Sequence, residues 1–157
     1  MKKIIVFFLS VFFLSSCLSC ESEDKYIDPT VMPEETTSGN NTFGCLVDGW
    51  VYTSGRYLNQ PLTFWYYREQ NLFEVKVEVR LESYITFIIN QPTENQTCTF
   101  EDALFDSESL GSGEVKITRF DREQKILSGT FSGGRITHGR FDVVYEVREM
   151  PVYPEEQ

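Results

Sequence analysis

Phe73-Glu74-Val75-Lys76-Val77-Glu78-Val79-Arg80-Leu81-Glu82 alternates apolar and charged residues without a break. Period two is the signature of a strand with one face buried and one face wet. On this reading Phe73, Val75, Val77, Val79 and Leu81 face a core, and the charges form a solvated face. Gln70-Asn71 supplies a turn before the run, and Leu62 to Arg68 (Leu-Thr-Phe-Trp-Tyr-Tyr-Arg) reads as the strand on the other side of that turn. After it, Tyr84 to Asn90 is a further strand, apolar on both faces at Ile88 and Ile89.

The same grammar extends in both directions. Phe43-Gly44-Cys45-Leu46-Val47 and Trp50-Val51-Tyr52-Thr53 flank Asp48-Gly49, a strong two-residue hairpin signal because a type I′ turn needs positive φ at both central positions. Towards the C-terminus, Glu114 to Phe120, Ile126 to Ser132 and Gly139 to Arg148 read as strands, with a polar turn from Asp121 to Lys125. Gly129 within a strand marks a bulge or a close backbone approach. Arg140 and Asp142, two apart, share a strand face and could form a surface ion pair. Residues 91–113 read as loop-rich, with only Cys98-Thr99-Phe100 as strand. No segment holds a helical period. The expectation is an all-β domain over residues 42–148: one antiparallel β-sandwich or small barrel-like meander of about eight strands, followed by a tail at 149–157. With 13 Phe, 8 Tyr and 2 Trp in 157 residues, the chain has the apolar surface for one such core.

The N-terminus carries an address. Met1-Lys2-Lys3 is a basic start, and Ile4 to Leu14 is apolar apart from Ser10. Eleven residues are too few for a comfortable helical span, which needs about 20, but they suit a secretory signal. Leu14-Ser15-Ser16-Cys17 resembles the lipobox of bacterial lipoproteins, which implies a signal peptide over 1–16 and a diacylglycerol on the Cys17 thiol. Cys20 is a rival, but Cys17 occupies the position upstream of it where the motif wants an aliphatic residue. Residues 17–41 then read as a lipidated cysteine with a flexible acidic tether: Glu21, Glu23, Asp24, Asp28, Glu34 and Glu35 against Lys25, broken by Pro29 and Pro33. Such a segment lacks the apolar surface to offset its ordering entropy. Acidic residues behind the lipidated cysteine also resemble a surface-export signal of some Gram-negative lipoproteins. The expected location is the cell envelope, lipid-anchored at the outer membrane, facing the periplasm or the exterior.

Asn41-Thr42-Phe43-Gly44-Cys45-Leu46-Val47-Asp48-Gly49, with Val115-Lys116-Ile117-Thr118-Arg119-Phe120-Asp121, Ile126-Leu127-Ser128-Gly129-Thr130-Phe131 and Ile136-Thr137-His138-Gly139-Arg140-Phe141-Asp142-Val143, resembles a family of uncharacterised lipoproteins common in the Bacteroidota. The resemblance implies an all-β domain of unknown function and transfers no catalytic residue.

Chemistry is sparse. The chain has 14 basic and 24 acidic residues, and loss of Lys2 and Lys3 with the leader takes the formal net charge from −10 to −12. That surface repels phosphate backbones, so nucleic acid is not an expected partner. His138 is the sole histidine; it lies in a Gly-rich turn, without a nucleophile elbow or zinc-ligand spacing. Glu101-Asp102-Ala103-Leu104-Phe105-Asp106-Ser107-Glu108 clusters four carboxylates but matches no calcium loop, and reads as a solvated acidic loop. No metal or cofactor, and no enzymatic activity, is expected. Cys45 and Cys98 would meet an oxidising compartment, either as a disulfide or as plain thiols, Cys45 in phase with core residues. Trp50, Tyr52, Tyr57, Trp65, Tyr66 and Tyr67 form a dense aromatic set. Phe64 and Tyr66 share one strand face and Trp65 and Tyr67 the other, so that either the strand is buried on both sides or one face binds. The expected function is a non-catalytic binding or accessory module meeting a glycan or envelope protein through Trp50, Tyr52, Trp65 and Tyr67. The alternative is a structural or assembly lipoprotein without a small ligand.

Overall fold

A computed structural model describes residues 31–54 and 61–149. Cys17, Cys20, Tyr57 and the tail beyond Glu149 lie outside the described residues, as do the signal peptide and the first part of the tether. Among the described residues ten strands follow one another: β1 Thr42–Val47, β2 Trp50–Thr53, β3 Leu62–Tyr67, β4 Leu72–Arg80, β5 Ser83–Asn90, β6 Thr97–Phe105, β7 Glu108–Asp121, β8 Ile126–Gly133, β9 Ile136–Val144 and β10 Glu146–Arg148. They form one sheet in the order β10-β3-β4-β5-β6-β7-β8-β9-β1-β2. All pairs are antiparallel except β10 with β3.

That order forces the sheet to curl. Only Tyr145 separates β9, near one end of the sheet, from β10 at the other end. The two ends must therefore approach one another, which gives a barrel-like wall and not a sandwich. The ten strands fill about eight positions. β9 and β10 are one run kinked at Tyr145. β2 and β3 lie beside successive parts of β4, with the Arg80 guanidinium at the end of β4 sitting 4.5 Å from the Tyr52 ring centroid.

Local rules explain the turns. Asp48 and Gly49 have φ of 50° and 83°, the left-handed pair that the Asp-Gly hairpin requires. Asp121 Oδ1 accepts the amides of Glu123 and Gln124 at 2.9 Å, an Asx-type turn between β7 and β8. The Arg135 side chain reaches from the β8–β9 turn to Asp48 and Glu108, tying three turns at one end of the wall.

The interior is filled by rings. Phe87 of β5 meets Phe131 of β8 at 5.1 Å, and Phe64 of β3 meets Phe141 of β9 at 5.2 Å, so side chains from separated strands meet across the core. At one end Tyr66, Phe73 and Tyr145 cluster, with centroids 4.8–5.7 Å apart. These rings need backbone room. A Cβ on Gly139 would stand 2.6 Å from the Phe131 ring, and one on Gly129 would stand 2.5 Å from the Lys116 carbonyl oxygen. The close approach read from Gly129 is present, and the β7–β8 register shifts beside it.

Four expectations need correction. Leu81 is not a core residue but 76 % exposed, because the chain reverses at Leu81–Glu82 between the Arg80↔Ser83 pair. Residues 97–113 are not loop-rich: β6 and the long β7 occupy them, and bulges between Phe100 and Leu104, with Asp102 at φ 50°, break the alternation that would have revealed strands. The acidic run 101–108 therefore lies on a hairpin. The tether does not stay free to residue 41, since residues 33–41 lie along the outer wall as a strap, hydrogen-bonded to β7 and β9. Arg140 and Asp142 do share the outer face, but each binds that strap instead of the other.

Gly139→Ala should lower stability by about 1–3 kcal/mol, the usual cost of overpacking, while Ser132→Ala on the exposed face should stay within about 0.5 kcal/mol. Urea titration of the two variants checks this, and Phe131→Leu should recover part of the Gly139→Ala loss.

Candidate functional site

The aromatic set is dispersed. Phe64 and Tyr66 face the core, and Trp65 and Tyr67 face outward. Tyr52 packs against the core edge, 5.2 Å from Phe105, while Trp50 at the hairpin is 72 % exposed. Trp50 and Tyr52 thus do not join Trp65 and Tyr67 in one patch. The outer row across five strands is Glu146–Trp65–Glu74–Ile88–Glu101. Arg148 stacks its guanidinium 3.8 Å from the Trp65 ring centroid, and Trp65 Nε1 donates to Glu146 at 3.3 Å. Tyr67 Oη donates to Glu74 at 2.9 Å; burial and this acidic partner push its pKa up. The row combines aromatic faces with a carboxylate fringe.

Among the described residues Cys45 and Cys98 are free thiols, the second of the two alternatives. They sit on β1 and β6, strands separated in the sheet by β7, β8 and β9. Cys45 is buried, which pushes its pKa up to about 12; the half-buried Cys98 thiol donates to the Val115 carbonyl at 3.6 Å, and its pKa is raised, chiefly by burial. The acidic hairpin gathers no metal site: among the described residues no group of three or more His, Cys, Asp or Glu could hold an ion. Asp106 instead accepts the Tyr84 amide, and Glu108 pairs with Arg135.

A second outer row was not anticipated. Thr97, Lys116, Thr130, Arg140 and Gly44 are successive cross-strand partners on β6, β7, β8, β9 and β1. The strap crosses this row. Its Pro33 packs where a Gly44 side chain would be, and the Pro33 carbonyl accepts from Arg140 Nη1 at 2.9 Å. Glu35 of the strap and the strands border an open groove of about 460 Å³, to which Glu114, Ser132 and His138 also contribute. A recess of about 160 Å³ shares Glu35, Thr130 and Arg140 with it. His138, at φ 53°, lies at the groove edge.

Asp142 holds the strap in place. Its side chain is buried, at 1 % exposure, and accepts from Thr36 Oγ1 (2.6 Å), Ser38 N (2.9 Å), Gly39 N (2.8 Å), Asn40 N (3.2 Å) and Ser128 Oγ (2.7 Å). Burial alone would raise its pKa, but these donors outweigh burial and leave it below the ordinary carboxylate value. Arg119 adds a bond to the Thr37 carbonyl at 2.6 Å, and Asn41 Oδ1 accepts the Val144 amide at 2.9 Å. Serine, threonine and asparagine near an acidic run read as solvated linker, and the partner 102–106 residues away left no local mark in the sequence.

No family model, curated protein or solved structure matches the chain.

Because the folded pKa of Asp142 lies below its unfolded value, its contribution is fully present above about pH 4 and is lost as pH falls through the folded value. Asp142→Ala should cost about 2–3 kcal/mol at neutral pH and weaken the loss of stability on acidification. Urea melts of wild type and variant at pH 7 and pH 3 test both.

Proposed function

We propose that the chain is a lipid-anchored outer-membrane lipoprotein whose β-domain is a non-catalytic binding module. The anchor rests on Leu14-Ser15-Ser16-Cys17 closing an apolar run behind two lysines. The observation that carries the binding reading is the use of the two sides of the wall. The inside is filled by aromatic packing, whereas the outside presents Trp65 and Tyr67 beside Glu74 and Glu146. Aromatic faces with acceptors beside them suit sugar rings or a protein surface. On this reading the partner is a glycan or an envelope protein, met away from the membrane. The strap adds a mechanical consequence: an anchor at Cys17 would leave only the residues before Pro33 as tether, which shortens the reach of the domain from the bilayer.

One observation favours the second reading, a structural or assembly lipoprotein. Trp65 is already covered by Arg148 and hydrogen-bonded to Glu146, so its ring is partly used within the chain.

Intact-mass spectrometry of the protein from Gram-negative cells should show cleavage before Cys17 and an acyl mass on that residue, both lost in Cys17→Ala. An unacylated product, or acylation at Cys20 alone, would contradict the assignment. Pull-down or glycan-array signal lost in Trp65→Ala supports the binding module; full retention favours the assembly role.

A further inference from the structure

We infer that the strap-walled groove on β7, β8 and β9 is a binding site for a sugar acid, a hydroxylated ring bearing one carboxylate. This goes beyond the reading above and depends on neither the lipid anchor nor Trp65. Arg140 presents one engaged and one unmatched guanidinium nitrogen. Nη1 is engaged by the Pro33 carbonyl, but Nε is buried without an acceptor among the described residues. A guanidinium offers only donors, and a buried donor left unmatched is costly. Any group that reaches it has to bring an oxygen acceptor.

The cross-strand row sets a second cation on the far side of Thr130. Lys116 and Arg140 each pair with Thr130 on neighbouring strands. Adjacent cross-strand Cα atoms lie about 4.5–5.5 Å apart, so the two long side chains flank one hydroxyl. Among the described residues Lys116, Thr130, Ser132 and His138 form no side-chain hydrogen bond or ion pair with another protein group, although all line the same groove. These groups are not occupied in holding the fold together. A volume of about 460 Å³ falls within the roughly 300–1,000 Å³ of small-molecule sites.

The remaining lining selects among anions. Glu35 of the strap and Glu114 of β7 border the groove. They oppose a doubly charged phosphate but accept hydrogen bonds from ring hydroxyls. Thr97, Thr130 and Ser132 both donate and accept, as a sugar requires. One carboxylate held between Lys116 and Arg140, with hydroxyls meeting the threonines and glutamates, uses each of these groups in its normal role.

The test is calorimetric titration of the full chain, solubilised in detergent, with D-glucuronate, D-glucose, glucose 6-phosphate and glycine as probes. Glucuronate should bind, weaken as salt rises, and outcompete the other three. Lys116→Ala, on an exposed strand face, should weaken glucuronate about tenfold with folding unchanged by circular dichroism, and Lys116→Arg should restore most of it. Trp65→Ala should leave it within about twofold. Absence of glucuronate binding, equal binding of glucose, tighter binding of the phosphate or of glycine, or indifference to Lys116→Ala would each overturn the assignment. Loss with Trp65→Ala but not with Lys116→Ala would transfer sugar binding to the outer aromatic row.

Discussion

A single buried carboxylate makes the N-terminal strap part of the domain. Asp142 lies out of water, where a lone charge is costly, and is matched by five donors, four of them from residues 36–40. The requirement is mutual. The carboxylate needs the strap amides to remain ionised, and the strap, poor in apolar surface, needs the carboxylate to be ordered at all. Pro33 on Gly44, the Arg119 bond to Thr37 and the Arg140 bond to Pro33 extend the same contact along the wall. Without this seam the groove on β7–β9 would lack one side, and the domain would begin at Thr42.

The other governing constraint is volume. A curled sheet of about eight positions encloses a space that must be filled by side chains. Phe43, Phe64, Phe73, Phe87, Phe100, Phe131 and Phe141 fill it, with Gly129 and Gly139 yielding backbone room. The inside therefore serves stability, and the binding proposed above would fall to the outer face. Two outer rows divide that surface, an aromatic one with acidic neighbours across β10 to β6 and a polar one flanked by two cations across β6 to β1. They differ in chemistry, and the two proposals above place different groups on them.

Much of the architecture was legible because its signals are local. The alternation from Phe73 to Val79, the Asp48-Gly49 turn and the tight packing at Gly129 each depend on a few neighbouring residues. What stayed hidden is nonlocal or masked by bulges. The Asp102 bulge put Glu101 and Asp102 both outward and disguised β6 as an acidic loop. The strap looks like linker because its stabilising partner is more than a hundred residues away. The aromatic set could be split by face from Phe64 to Tyr67, but the separation of Trp50 and Tyr52 from Trp65 and Tyr67 depends on how the sheet curls. The groove could not be foreseen, since it requires both the strap and the register of four strands.

Amide hydrogen exchange at neutral pH on the full chain, read at Ser38, Gly39 and Asn40, probes the Asp142 seam itself. If Asp142 binds these amides as described, they exchange far more slowly than an unstructured chain and approach the protection of β9. Exchange at unstructured rates at all three, with β9 still protected, would mean that the strap is free and that the wall carries no seam.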